Sequence, residues 1–113
     1  MKVVDLKNSE HYRWGVDCHG WHLLDNDELS VIEEIVPPSG AEVRHFHHAS
    51  QQFFYVLSGA VELEIDGAHF EVHVGRGIHV AAGISHQLSN KTQEEARFLV
   101  ISQPKSHGDR VDT

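Results

Sequence analysis

The sequence predicts an all-β fold, a sandwich or barrel, and three observations carry that prediction. No segment of the 113 residues shows a helical period. From Leu29 onward, short apolar runs recur roughly every eight to twelve residues with glycine or proline between them. One stretch alternates strictly, with Val61, Leu63 and Ile65 set against Glu62, Glu64 and Asp66. That is a strand with one buried and one wet face.

Residues 1–28 carry short aromatic and apolar patches, Tyr12 to Trp14 and Gly20 to Leu24, closed by an Asp25-Asn26-Asp27 turn. They read as edge strands or a flap beside a core barrel of about 29–104, with 1–113 forming one domain. Leu29 to Val36 is rich in β-formers and stops at Pro37-Pro38-Ser39-Gly40. Proline there removes the donor that a ladder needs. A histidine-rich strand, Ala41 to His48, follows, and then an aromatic one, Gln52 to Ser58, ending at Gly59.

The alternating strand after Gly59 meets a hairpin signal at Asp66-Gly67. Its return strand is expected to turn Phe70, Val72 and Val74 inward and His69, Glu71 and His73 outward. Gly75-Arg76-Gly77 leads to Ile78-His79-Val80, and Ala81-Ala82-Gly83 leads to Ser85 to Asn90. Arg97 to Ser102 is the last strand before Pro104 and a polar tail, expected to fray. No linker or internal repeat interrupts this order.

Composition bounds the function. A formal net charge of −8 with no basic cluster repels phosphate backbones and anionic lipid, so neither nucleic acid nor membrane is expected as partner. Acidic pairs such as Glu33-Glu34 read as solvated faces. A single cysteine, Cys18, excludes an internal disulfide and suits a reducing compartment. The N-terminus lacks the apolar core of a signal peptide, so a cytoplasmic location is expected. The compositional oddity is eleven histidines, among which spacing must choose.

His45 and His47 stand two apart on one strand, so both side chains point the same way with α-carbons about 7 Å apart. That spacing lets two imidazoles converge on one ion, and Gln52, heading the next strand, can bring an amide oxygen. A third nitrogen is best sought at His86, after the small-residue turn. His48 falls on the opposite face and reads as surface. Cys18, His19 and His22 cluster in sequence with nothing converging on them. Phe54 and Val56 share the face of Gln52 and are expected to line the cavity with Leu63 and Phe70.

Two motifs in order resemble those of the cupin superfamily. Gly40, His45, His47, Gln52 and Gly59 are similar to its first motif; Gly75, Ala81, Gly83, His86 and Asn90 are similar to its second. The resemblance spans roughly residues 29–104. It implies a double-stranded β-helix, a jelly-roll barrel, with a divalent metal inside. By position, the ligands it implies are His45, His47, Gln52 and His86. Gln52 stands where the family has an acidic residue, Ala81 where it has proline, and Gly40 lies one residue closer to His45.

A neutral glutamine oxygen is a weaker donor than a carboxylate. The ion would keep its full charge, favouring Zn²⁺, Ni²⁺, Fe²⁺ or Cu²⁺ over Mn²⁺. Three functions follow: a metal-dependent enzyme acting as Lewis acid on a small, oxygen-rich anionic metabolite (a sugar acid or keto acid), a metal-dependent dioxygenase, or a non-catalytic cup that binds or senses a small ligand. No dedicated general base is expected inside the barrel, whose lining reads as Val, Leu, Phe and Ile. Family likeness also implies a homodimer, with Phe46, Ile32 and Val36 as apolar residues to bury there.

Overall fold

A computed structural model describes residues 2–113. After a 3₁₀ turn at Leu6–Asn8, capped by the Asp5 carboxylate, the chain is almost entirely strand and turn. The strands are β1 (Glu10–Trp14), β2 (Cys18–Asp25), β3 (Ser30–Val36), β4 (His45–Phe46), β5 (Gln51–Ser58) and β6 (Ala60–Ile65). They continue with β7 (Ala68–His73), β8 (Gly77–Val80), β9 (His86–Ser89), β10 (Ala96–Gln103) and β11 (Val111–Asp112).

They form two antiparallel sheets, ordered β1-β2-β3-β10-β5-β8 and β11-β4-β9-β6-β7. Each sheet therefore mixes early and late strands, as the double-stranded β-helix expected from the sequence requires. The buried faces meet in one core that includes Ile32, Val36, Phe54, Val56, Leu63, Leu88, Phe98 and Val100. Period-2 alternation decides which residues reach it: in β10, Ala96, Phe98, Val100 and Ser102 are buried while their neighbours are not.

Two turns need glycine. At Asp66-Gly67 both residues have positive φ, 50° and 89°, the conformation of a tight hairpin whose twist matches its strands. At Gly59 φ is 75°, and a Cβ there would stand 2.7 Å from the Glu95 carbonyl oxygen.

The structure corrects several expectations. The histidine strand is mostly irregular: only His45–Phe46 joins a ladder, with one further bridge from Ala41 to Ser89. In β7, the edge strand of its sheet, only Val72 turns inward and Phe70 is 43% exposed; Val74 lies just past the strand's end and is 60% exposed. Ile32 and Val36, expected at a subunit interface, are core residues instead. The exposed apolar side chains of β5 are Phe53, Tyr55 and Leu57, on the outer face of the six-stranded sheet.

The tail does not fray over its last residues. Asp109 accepts three backbone hydrogen bonds, from the N–H groups of His48, Ala49 and Ser50, each at 2.9 Å. Beyond it β11 pairs with β4. Among the described residues, no helix is long and apolar enough to cross a membrane.

Candidate metal centre

The ladder brings the first two histidines together. His45 on β4 is the direct cross-strand partner of His86 on β9. His47 follows one residue beyond β4, on the same face. One ligand-capable atom from each of the three lies within 4.8 Å of the others, and all three residues are buried.

Hydrogen bonding fixes which nitrogens those are. Nδ1 of His45 is 2.7 Å from the Val43 carbonyl, Nδ1 of His47 is 2.6 Å from the Asp109 carbonyl, and Nδ1 of His86 is 2.9 Å from the Ile84 carbonyl. A carbonyl can only accept, so each Nδ1 carries the proton and donates it. Each Nε2 is left as a bare lone pair. Burial pushes all three imidazoles below their usual range, that of His45 to about 4, which keeps them neutral near pH 7.

Three inward lone pairs with no proton among them are an arrangement that wants a cation. Nε2 of His47 is buried without any hydrogen-bond partner. Nε2 of His86 faces the amide oxygen of Gln52 at 3.1 Å, one acceptor against another. The Gln52 amide nitrogen donates to Ser102 Oγ at 3.0 Å, which aims the oxygen inward. The donor set therefore fits a divalent ion, with Gln52 reaching in from the opposite sheet.

Asp109 is the outer support. Its main-chain oxygen holds the His47 ring, while its carboxylate, kept below the usual range by the backbone N–H groups it accepts, pins the turn at 48–50. Asp109→Ala keeps the main-chain oxygen but frees the turn beside His47, so it should weaken metal binding by about 10-fold, the lower end of the effect of losing a ligand's support. Competition with a chelating dye measures it, and unchanged affinity would remove Asp109 from this role.

A cavity of about 360 Å³ opens over His45, His47 and Gln52, with Ile32, Phe54 and Val100 as apolar lining. It also holds what the sequence reading missed. Tyr12, Glu34, Glu42 and Arg110 line it. Tyr12 donates to Glu34 at 2.5 Å, and Glu42 accepts from Leu88 N–H with its other oxygen 4.0 Å from His45 Nε2. Burial raises Glu34 to about 7 and Glu42 to about 8, and lifts the Tyr12 phenol above its ordinary range. The expectation of a barrel without an acid–base group is thus corrected. A signal existed: Glu34 shares the parity of Ile32 and Val36, the inward face of β3.

The other candidates resolve simply. His48, His69, His73 and His79 are exposed. Asn90 is structural, its amide nitrogen donating to the carbonyls of Val36 and Glu94. Arg97 pairs with Glu33 on the outer face. Cys18 is buried in the core, and Val56 and Leu63 belong there too.

The fold and the motif have known counterparts. The Cupin domain family matches residues 32–102, well over half of the chain. Polyketide synthase CurC of Streptomyces cyaneus is 30% identical over 62% of this chain and 46% of its own length. An uncharacterised protein of Methanocaldococcus jannaschii is 31% identical over 71% of this chain and 65% of its own. The chain thus spans less than two thirds of either relative. Among solved structures, the polyketide cyclase RemF from Streptomyces resistomycificus superposes with a TM-score of 0.84 at 24% identity, covering 100% of this chain and 85% of its own. With the family matched across both histidine motifs and the two-sheet architecture in place, the chain belongs to the cupin family.

Proposed function

We propose that the protein is a metal-dependent enzyme acting on a small, oxygen-rich carbonyl metabolite. One observation carries this: three buried imidazoles donate their Nδ1 protons to backbone and turn three bare Nε2 atoms on one point. His45, His47 and His86 would hold the ion, with the Gln52 oxygen beside them. Bound there, a divalent ion supplies Lewis acidity that polarises a carbonyl oxygen.

The chain's own residues do the rest. Ile32, Phe54 and Val100 exclude water from one side of the cavity, and Arg110, paired with Asp112, also lines it. Glu34 and Glu42 in the wall, both held toward the protonated form, can hydrogen-bond to a neutral ketone or enol. The names of CurC and RemF, both tied to polyketides, support a carbonyl-rich substrate.

Elemental analysis of protein purified without added metal tests the proposal. About one divalent ion per chain is expected, and metal-free protein that takes up none would overturn it. Iron together with substrate-dependent oxygen consumption would instead select the dioxygenase. Gln52→Glu adds the carboxylate that the family places here, so Mn²⁺ should be retained or bound more tightly. Loss of all metal in that variant would contradict a Gln52 oxygen facing the ion. For the homodimer expected by likeness, the outer face bearing Phe53, Tyr55 and Leu57 is the surface we propose, in place of Ile32 and Val36.

A further inference from the structure

Tyr12 and Glu34 form a second centre in the same cavity, separate from the histidines. They come from strands that are not neighbours, since β2 lies between β1 and β3. Gly20 makes their meeting possible. It is the cross-strand partner of Tyr12, and a Cβ there would stand 2.2 Å from the tyrosine ring. With no side chain at Gly20, the ring lies across β2 and its hydroxyl reaches Glu34 Oε2.

Glu34 has no other hydrogen-bond donor among the described residues. Its second oxygen is left for whatever enters the cavity. A partly buried carboxyl without a salt-bridge partner is costly to keep. Folds retain such groups where they act, and here the group faces the space over the metal-binding histidines.

We propose that Glu34 is the proton-transfer residue of this site, positioned by Tyr12, and that the substrate is a carbonyl compound with an acidic C–H beside its carbonyl. This rests on the metal-enzyme proposal above. The Glu34 carboxylate takes the proton from the α-carbon. The C–H electron pair becomes the new C=C bond, and the former C=O π pair moves onto oxygen. Glu34, now a carboxylic acid, returns the proton to carbon, so no oxidant or reductant is needed.

The ionisation behaviour of Glu34 suits that work, because a base poised near 7 is both available and strong enough at neutral pH. The groups that interact with it are Tyr12 from β1, Cys18 from β2, Glu42 from the segment before β4, and Arg110 from the tail. His22 and His107 pack around the Tyr12 ring.

The test uses the metal-containing protein with dihydroxyacetone as probe, in deuterium oxide, following loss of the methylene proton signal by NMR. Wild type is expected to exchange these protons faster than buffer containing the same metal. Glu34→Gln keeps the shape and the hydrogen bond from Tyr12; it should slow exchange about 10²–10⁴-fold at unchanged metal content. Tyr12→Phe removes a bond that favours ionised Glu34, so the midpoint of the pH–rate profile should move up. A merely structural tyrosine would leave it in place. Difference infrared spectra should show protonated-carboxyl absorption titrating around neutrality in wild type, and Glu34→Gln should remove the component belonging to Glu34 while leaving that of Glu42.

Exchange undiminished in Glu34→Gln would overturn this inference and leave the metal enzyme standing. Wild-type exchange no faster than the buffer control would also overturn it. Absence of metal from the purified protein would instead strike the reading on which it rests.

Discussion

Changing any one of His45, His47 or His86 to alanine is expected to strip the protein of its ion while leaving its β-structure in place. Each change removes one of three converging nitrogen lone pairs, and the oxygens nearby belong to Gln52 and Glu42. Gln52 already faces His86, and the nearest oxygen of Glu42 is 4.0 Å from His45 Nε2. The loss of affinity should exceed the roughly 10–100-fold that follows from losing a residue that only supports a ligand.

The fold should survive because the two sheets are held by a core of which the histidines are only one border. An ion that binds only the folded state adds about 4.1 kcal/mol at a thousand times its dissociation constant. Added metal should therefore raise the urea midpoint of wild type and leave that of each alanine variant unmoved. Full metal content in any one of the three would break the assignment.

The largest effect on stability is expected from Phe98→Ala. Phe98 is fully buried on β10, the strand that joins β3 to β5 in the six-stranded sheet. Its ring stands 6.4 Å from that of Phe54, whose other side approaches His86 at 6.1 Å. Truncation removes a whole aromatic side chain and leaves a void that close-packed neighbours cannot fill. The cost should be about 3–5 kcal/mol. Against a total stability of about 5–15 kcal/mol, that is a large share. Urea unfolding measures it; a loss below about 1 kcal/mol would mean that the core lies elsewhere.

Much of this was legible in the sequence, for physical reasons. Strands with one buried face announce themselves by period 2, as at Val61, Leu63 and Ile65. A histidine pair two apart is visible on any extended segment, and the second motif located His86. What stayed hidden depends on contacts between distant segments. Glu34 reads as half of a solvated acidic pair until Tyr12 is seen to reach it across Gly20. Asp109 reads as part of a loose polar tail until its carboxylate meets the turn at 48–50. Phe70 and Val74 alternate correctly, yet alternation says nothing about which strand stands at the edge of a sheet or where it ends. Ile32 and Val36 were misplaced for the opposite reason: both lie on the covered face of β3.

The hold of Asp109 on His47 also says something about timing. The two residues are separated by 62 positions, and the turn that the carboxylate pins lies 59 to 61 positions away. During synthesis, the two imidazoles of the first motif leave the ribosome long before the residue that sets one of them in its final orientation. A nascent chain can offer scattered histidines to an ion, but the finished trio takes shape only once residue 109 has emerged and swung back over the opening. An ion that needs the finished trio would therefore be taken up late, after residue 109 has reached His47.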